Sequence, residues 1–407
     1  MKFKISVLVA LLYMGGPVQA QPIWTFAQVL QSALDSHPLI MGKRSAQTGA
    51  QADQKGAEWL RYPTPVIEAA TQGGGKKDTG LVRIEQPLWT GGRITAAIDA
   101  AGSRLESADA AVDEAKRDMS LKVIAAYTEA LRQKAKQQYA KKGVEEHEKL
   151  LGMIRRRVTN QVSSLADQHL ANSRLHLAAN DLSLSNQALN NALAQLSQLS
   201  GRTVVEISEQ GMREQSAPVS LDAALSQELA YSPTLRRLAS DEEAASADVD
   251  AKRSAYMPSL SLRLEKDMGQ PYASRALLVL QAQPGAGLSA VAGVDSAISR
   301  RETARLARLA AERDVRDSVT LDWNEWVAAR MRLDNANQTS TMSTEVFESY
   351  TRQYVIGRKS WLEVLNAMRE ATQSQFAVED ARAQALAASL RLRAQTGTLN
   401  LNEGTKP

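Results

Sequence analysis

The hydrophobic positions of this chain recur at helical spacing over most of its length. The spacing predicts two helices over about residues 25–36 and 38–60, the second beginning at a proline that suits a first helical turn. A far longer helix is predicted from Arg93 to Val158, where no strong helix breaker occurs; at 1.5 Å per residue it is about 100 Å long. A returning helix is predicted over Ser163 to Leu199.

Short segments between these helices alternate apolar and polar residues with a period of two. Val82 and Ile84, for example, alternate with Arg83 and Glu85, which predicts a strand with one apolar face. Each predicted strand has about the ten residues that a tilted transmembrane strand requires. The four predicted strands span about residues 64–72, 80–88, 258–266 and 275–283.

The two returning helices carry small or aliphatic residues at intervals of seven. These positions are Leu175, Leu182, Leu189 and Leu196 in the first, and Val364, Ala371, Val378, Ala385 and Leu392 in the second. Sustained sevenfold spacing keeps an apolar seam facing a neighbouring helix, so it predicts packing like that of a coiled coil.

The chain is an internal duplication with a period of about 196 residues. Pro38 recurs as Pro233, Gln86-Pro87 as Gln283-Pro284, and Gly201 as Gly397. Both halves contain helices, two strands and again helices in the same order. We divide the chain into a first repeat at 21–201, a linker at 202–219, a second repeat at 220–397 and a tail at 398–407.

The first twenty residues have the features of a secretory signal peptide. Lys2 and Lys4 precede an apolar run over residues 5–14, and Ala20 provides a small residue at the expected cleavage site. Residues 1–20 are therefore predicted to be removed. No later run of about 18 uncharged apolar residues follows, so a membrane crossing is expected to use β-strands.

Composition argues against several classes of function. The formal net charge is +4, and removal of Lys2 and Lys4 with the leader leaves +2, so a nucleic-acid partner is not expected. The absence of cysteine excludes disulfides, thiol catalysis and thiolate metal sites. His169 and His176 lack an acidic partner that would complete a zinc motif. We predict no catalytic residue, no metal and no cofactor, and hence no enzyme.

Four strands cannot close a barrel, and an open strand edge in lipid leaves backbone groups unpaired. Two copies of the chain would supply eight strands and three copies twelve. An eight-stranded barrel is filled by its own side chains, whereas twelve strands leave a lumen. The polar strand residues Arg83, Glu85, Arg263 and Glu265 favour a water-filled lumen, and hence three copies.

Two motifs within this duplicated pattern resemble those of the TolC family of outer-membrane export channels. They are the strand-to-helix junction at residues 86–93, QPLWTGGR, and the helical turn at residues 354–365, YVIGRKSWLEVL. The resemblance covers essentially the whole mature chain. It implies a mostly α fold with a transmembrane β-barrel, in which duplicated helix-strand-strand-helix halves of a homotrimer form a twelve-stranded barrel and a long α-helical periplasmic barrel.

The resemblance also implies partners in three compartments. The barrel would contact outer-membrane lipid, and the periplasmic tip would meet an adaptor of the membrane fusion protein type. An inner-membrane ABC or proton-driven pump would supply the energy. The residues expected at the adaptor-contacting tip are Asn160, Gln161, Val162, Ser163, Gly357, Arg358, Lys359 and Ser360.

Further site residues follow from the same reading. The pore constriction is expected at Tyr354, Lys359, Glu363 and Asn366, and aromatic residues at the membrane boundary at Trp59, Tyr62, Trp89 and Tyr256. In the first turn Asn160 is interpreted as the replacement for the turn glycine, and Asp167 as an acid displaced by one place relative to the second turn.

The predicted function is that of a passive exit duct, and two kinds of cargo remain open. Type I protein secretion is favoured slightly, because the tail after Gly397 is short and no lipid-anchoring cysteine is present. Small-molecule or multidrug efflux is the alternative. A periplasmic coiled-coil adaptor or structural protein is the alternative from another class, although it leaves the four alternating strands unexplained.

Overall fold

The computed structural model describes residues 23–70, 79–209, 220–268, 274–282 and 289–399. The predicted leader at 1–20 lies outside the described residues. The same holds for the ends of two predicted strands at 71–72 and 283, for the linker beyond residue 209 and for the tail beyond residue 399.

Each half of the described chain contains two short helices and two long ones. The first half has α1 (Phe26–Ser36), α2 (Pro38–Trp59), α3 (Arg93–Thr159) and α4 (Leu165–Ser200). The second half has α5 (Leu221–Tyr231), α6 (Pro233–Arg253), α7 (Ser289–Val355) and α8 (Trp361–Gln395). Helices α3 and α7 both have 67 residues, so the predicted duplication is confirmed.

The long helices form the axis of a layer of helices. Over its first half α3 packs between α2 and α6, and over its second half between α4 and α8. Helix α7 likewise packs on α6 and then on α8. The lateral order is therefore α2-α3-α6-α7 at one end and α4-α3-α8-α7 at the other. No helix in the described part of the chain is both long enough and apolar enough to cross a bilayer.

Four strands form one antiparallel sheet to which both halves contribute. They are β2 (Thr64–Ala70), β3 (Thr79–Trp89), β5 (Ser259–Asp267) and β6 (Ser274–Gln281), hydrogen-bonded in the order β2-β3-β5-β6. The central pair aligns Ile84 with Leu264, which joins the strand of one repeat to that of the other. Strands β2 and β6 each keep one edge without a partner strand among the described residues.

A second, very short sheet lies where the chain passes between the repeats. Strand β1 (Ile23–Trp24) pairs in parallel with β4 (Glu206–Ile207). Strand β4 lies in the segment that the sequence analysis assigned to a linker. The buried Tyr127 hydroxyl lies 2.9 Å from the carbonyl oxygen of Trp24 and 2.6 Å from that of Ser208. Burial raises the pKa of Tyr127, so the hydroxyl stays protonated and holds β1 and β4 against α3.

The main apolar core lies beneath this short sheet. It joins α1, the middle of α3 and the end of α4, and its central members include Val29, Leu30, Val123, Ile124 and Leu196. The spacing of Phe26, Val29, Leu30 and Ala33 places all four on one side of α1. Helix α1 is therefore attached to the helical layer by hydrophobic burial.

Candidate functional site

One face of the four-stranded sheet carries a ladder of ion pairs. Arg83 pairs with Glu265 at 3.0 Å and with Glu68 at 3.3 Å, and Arg263 pairs with Glu85 at 3.1 Å. The structure thus brings the four predicted strand residues together on a single polar face. Glu68 and Arg275, which lies 3.4 Å from Glu265, belong to the same ladder and were missed by the sequence analysis. Apolar and polar residues do not alternate regularly in β2 and β6, so the sequence pattern gave no signal for either residue.

The opposite face of the sheet is aliphatic and exposed. Ile67 is 77% exposed, Leu278 66% and Leu280 69%. The strand registers place Ile84 and Leu264 on this same face. An exposed patch of large aliphatic side chains on a sheet that is polar on its other side needs an apolar environment, such as lipid.

The predicted boundary aromatics lie together at one end of this sheet. Tyr62 and Tyr256 come just before β2 and β5, and Trp89 ends β3, which runs in the opposite direction. Trp59 ends the helix that leads into β2 and is 73% exposed. Amphipathic rings in this arrangement suit the boundary between lipid and water.

The strand-to-helix junction depends on two glycines with left-handed backbone angles. Gly91 has φ +62° and Gly92 has φ +90°, and α3 begins at the next residue. A side chain on Gly91 would overlap the Cβ atom of Met257, whereas the space around Gly92 is open. The side-chain amide of Gln86 donates a 2.8 Å hydrogen bond to the carbonyl oxygen of Arg61 at the same corner.

The far ends of the long helices form two turns with equal geometry. In the first turn the N–H of Val162 donates to the carbonyl oxygen of Arg157 and that of Gln161 to Val158. In the second turn Arg358 donates to Gln353 and Gly357 to Tyr354. Both patterns are Schellman motifs, which require a left-handed residue after the helix.

Two sequence interpretations of these turns are wrong. Gln161, with φ +58°, occupies the position of Gly357, with φ +77°, whereas Asn160 has φ −86° and does not replace the glycine. Asp167 is not displaced either, because Ser164 caps α4 as Ser360 caps α8. In both cases the acid three residues after the serine, Asp167 or Glu363, completes the capping box. The sequence analysis matched the two turns by residue type, which gave the wrong equivalent positions. The hydrogen bonds show the correct ones.

Exchanging residues between the equivalent turn positions is expected to give effects of opposite sign. Gln161→Gly should stabilise the first turn by about 1 kcal/mol, because a left-handed residue with a Cβ atom is strained. Gly357→Gln should destabilise the second turn by a similar amount, since nothing lies within 4 Å of a Cβ atom there. Hydrogen exchange of the amides of residues 162 and 358 measures both. Equal signs in the two variants would contradict the assignment.

An aromatic cluster joins the two turns. The rings of Tyr354 and Trp361 lie 5.2 Å apart, and the indole N–H of Trp361 donates a 3.2 Å hydrogen bond to the carbonyl oxygen of Asp167. The guanidinium of Arg157 lies 4.9 Å from the Tyr354 ring centroid, and Ser163 lies within hydrogen-bonding distance of the tyrosine hydroxyl, at 3.4 Å. Through these contacts Tyr354, which is only 6% exposed, joins the two hairpins of one chain.

A charged pair lies beside this cluster. Lys359 donates a 2.7 Å hydrogen bond to Glu363, and its ammonium nitrogen lies 4.2 Å from the ring centroid of Tyr350. This hydrogen bond and those from Ser360 lower the pKa of Glu363 to about 2. Asn366 is exposed and lies one turn further along α8. The predicted residues Lys359 and Glu363 are therefore in contact, and Asn366 follows them on the same helix.

The Glu363 carboxylate is expected to stay ionised down to about pH 3, well below the usual carboxyl range. Its pKa is lowered in the folded state, so the stabilisation by this pair is present above the unfolded pKa and lost as pH falls through about 2. Lys359→Gln should raise the titration midpoint of Glu363, followed by the ¹³C shift of its carboxyl carbon. The substitution removes the hydrogen bond from Lys359, which is the largest cause of the lowered pKa. Arg358→Gln, at the neighbouring exposed cation, should leave the midpoint unchanged; equal shifts would refute the pairing.

His169 and His176 lie exposed on α4. Within the ranges that the structure describes, no cluster of three or more histidine, aspartate or glutamate side chains has the arrangement of a metal site. The described residues thus form a two-faced sheet at one end of the helical layer and a packed pair of turns at the other.

A two-faced strand sheet continued by paired helices of about 100 Å, repeated twice in one chain, is the construction of outer-membrane channel proteins. The sequence profile of the outer membrane efflux protein family matches residues 29–202 and 224–398, one match for each half. The chain belongs to the outer membrane efflux protein family. It is thus an outer-membrane channel of the efflux protein family and not an enzyme. The sequence predicted a non-enzymatic outer-membrane export channel, although it favoured protein secretion slightly over efflux.

Several solved channels share the fold. The outer membrane protein VceC of Vibrio cholerae is 17% identical, with a TM-score of 0.81 over 91% of this chain and 96% of that one. The MtrE channel of Neisseria gonorrhoeae, in its open state, is 16% identical, with a TM-score of 0.77 over 92% and 91%. CusC is 15% identical, with a TM-score of 0.81 over 91% of each chain. A comparison with curated protein sequences gives no match.

Proposed function

We propose that three copies of this chain form a passive exit duct for a tripartite export system, with a shared twelve-stranded barrel in the outer membrane. The two-faced sheet carries this proposal. Its aliphatic face would contact lipid, its ion-pair ladder would line a water-filled lumen, and its edge strands β2 and β6 would pair with neighbouring copies.

The outer edge of the helical layer supports an assembly of several copies. On α7 the exposed Leu306, Leu321, Met331 and Met342 lie within about 80° of one another around the helix. Buried residues such as Ala329 face the opposite direction, towards α6 and α8. Unpartnered aliphatic residues along one side of a long helix favour burial against another chain.

At the other end, the two turns form the tip that we propose to meet a periplasmic adaptor. Gly357 and Arg358 are exposed in the second turn, as are Asn160, Gln161 and Val162 in the first. Closure would come from the same region, where three copies of Glu363 and Asn366 would approach the threefold axis. The energy would come from an inner-membrane pump of the ABC or proton-driven type.

The assembly is tested with the purified full chain in detergent. We expect the mass of a trimer in light scattering, heat-modifiable migration on gels and single-channel conductance in planar bilayers. Met342→Glu should weaken the trimer, because it places a charge in the proposed contact. Thr341→Glu is the matched control, since it adds the same charge about 100° away on α7. A monomer that does not conduct would overturn the proposal.

The cargo divides the proposal into two candidates. Type I protein secretion is favoured slightly by the sequence, and small-molecule efflux by the description of the family to which the chain belongs. Deleting the gene and measuring both drug susceptibility and the secreted proteins separates them. Hypersensitivity with an unchanged secretome would exclude secretion, and the reverse result would exclude efflux.

A further inference from the structure

A groove of about 560 Å³ runs over α3 between α4 and α8. Its floor contains the small residues Ala140 and Gly143, and its walls carry the apolar side chains of Leu177, Leu184 and Phe376. A concave site of this volume, lined by both apolar and polar side chains, suits an organic molecule of drug size.

The charged residues of the groove are mainly cationic. Lys136, Arg174 and Arg369 line it, against the single carboxylate of Asp181. Lys136 also pairs with Asp380 at 2.6 Å, which leaves the two arginines as the principal cations of the groove. The Nε atom of Arg174 is buried and has no hydrogen-bond partner in the described part of the chain. The groove therefore attracts negative charge.

A second buried polar group lies in the same groove. His147 is 8% exposed, and its Nδ1 atom has no hydrogen-bond partner among the residues that the structure describes. Burial and the neighbouring Arg174 lower the pKa of His147, so its imidazole is neutral. Buried polar atoms are nearly always paired in proteins. Two unpaired nitrogens in one groove, on α3 and on α4, indicate a site that a polar ligand would complete.

The groove opens on a defined side of the helical layer. Tyr127 and Lys134 of α3 face the short sheet of β1 and β4, as their hydrogen bonds to these strands show. The groove residues of α3, such as Ala140 and His147, lie about 130° further around that helix. The groove thus opens on the side of the layer away from β1 and β4. The proposal below requires that this side faces the lumen of the assembled duct.

We propose that this groove binds organic anions on their way through the duct, a role that rests on the proposed function. The anionic group meets Arg174 and Arg369, and the apolar part lies on Leu177, Leu184 and Phe376. Arginine guanidinium groups donate strong hydrogen bonds to carboxylate, sulfonate and phosphate oxygens. The groove would raise the local concentration of such molecules inside the duct.

Calorimetric titration of the full chain in lipid nanodiscs tests the proposal with two matched probes. These are 1-naphthalenesulfonate and 1-naphthylmethylammonium, which share the ring system and differ in the sign of their charge. We expect the anion to bind at least about tenfold more tightly than the cation, equal to about 1.4 kcal/mol. Equal binding of both ions, or no binding of the anion, would overturn the proposal.

Two variants separate charge from shape. Arg174→Gln combined with Arg369→Gln should weaken anion binding at least about tenfold. The control combines Lys141→Gln with Arg155→Gln, which removes two exposed cations of α3 outside the groove. This control should change the affinity for the anion less than about twofold. Gly143→Leu fills the floor without altering charge or introducing a helix breaker, and should also abolish binding. Unchanged affinity in the arginine double variant would refute the site.

The failure of this proposal is distinguishable from failure of the duct. Conductance and trimer mass are measured on the same preparations, and neither depends on naphthalenesulfonate. A conducting trimer that binds naphthalenesulfonate no more tightly than naphthylmethylammonium would overturn the proposed groove and support the proposed duct. A protein that binds the anion, loses this binding in the arginine double variant and yet forms no trimer would support the groove and overturn the duct.

Discussion

Replacement of Gly91 by alanine is expected to prevent assembly of the channel. The new Cβ atom would overlap the Cβ atom of Met257, and the left-handed backbone at φ +62° adds strain of about 1–2 kcal/mol. Overpacking at a rigid corner costs about 1–3 kcal/mol more. The strand sheet and α3 would no longer meet at the correct angle. Heat-modifiable protein in the outer-membrane fraction measures the loss.

The chain provides its own control one residue later. Gly92→Ala carries comparable backbone strain, but it meets open space, so it should cost only about 1–2 kcal/mol and still allow assembly. Adding Met257→Gly to Gly91→Ala removes the overlapping atom and should recover much of the assembled protein. Equal assembly of the two alanine variants would contradict the proposed overlap.

Trp361→Ala is expected to open the tip of the helical layer. The indole is 4% exposed, contacts the Tyr354 ring at 5.2 Å and donates to the carbonyl oxygen of Asp167. Removing a buried tryptophan costs about 3–5 kcal/mol, and here the cavity would separate the two turns. We expect higher single-channel conductance in planar bilayers and increased entry of large antibiotics into cells.

Two variants show which contact matters. Trp361→Phe keeps most of the ring packing and loses only the indole N–H, so its effect should be about 1 kcal/mol and its conductance close to that of the parent. Trp59→Ala removes a tryptophan that is 73% exposed, far from the tip, and should leave the conductance unchanged. A parental conductance for Trp361→Ala would mean that the cluster does not hold the closed state.

The long elements follow from local pattern. Helix α3 was predicted from Arg93 to Val158 and is observed from Arg93 to Thr159, because helical spacing persists and only scattered glycines interrupt it. The strand with alternating Arg83 and Glu85 was predicted over 80–88 and is observed over Thr79–Trp89. Such patterns predict the structure correctly when the local preference of each segment for helix or strand agrees with the final fold.

The short sheet of β1 and β4 could not be predicted in the same way. Each strand has only two residues, and their pairing joins Ile23 to Glu206 and Trp24 to Ile207 across most of the first repeat. No periodicity exists in two residues. The buried Tyr127 hydroxyl that supports the pairing gives no signal in the sequence either, since its partners are backbone carbonyl groups.

The tip was predicted in its place but not in its contacts. Sequence spacing located both turns, and the resemblance to the channel family assigned Tyr354, Lys359 and Glu363 to them. The contacts of Tyr354 with Arg157 and of Trp361 with Asp167 join residues about 195 positions apart, and such distant contacts leave no local pattern. The groove lined by Arg174 and Arg369 arises in the same way, from helices that are remote in the chain.

By itself, the sequence determined the duplication, the order of the helices and of the four longer strands, and the two faces of β3 and β5, because hydrophobic periodicity and helix breakers act over short distances. The tertiary structure alone decided the register that brings Arg83 to Glu265, the left-handed role of Gln161 and the cluster that joins the two turns. These features depend on close packing and hydrogen bonding between distant segments, which become defined only when the helices and strands lie side by side.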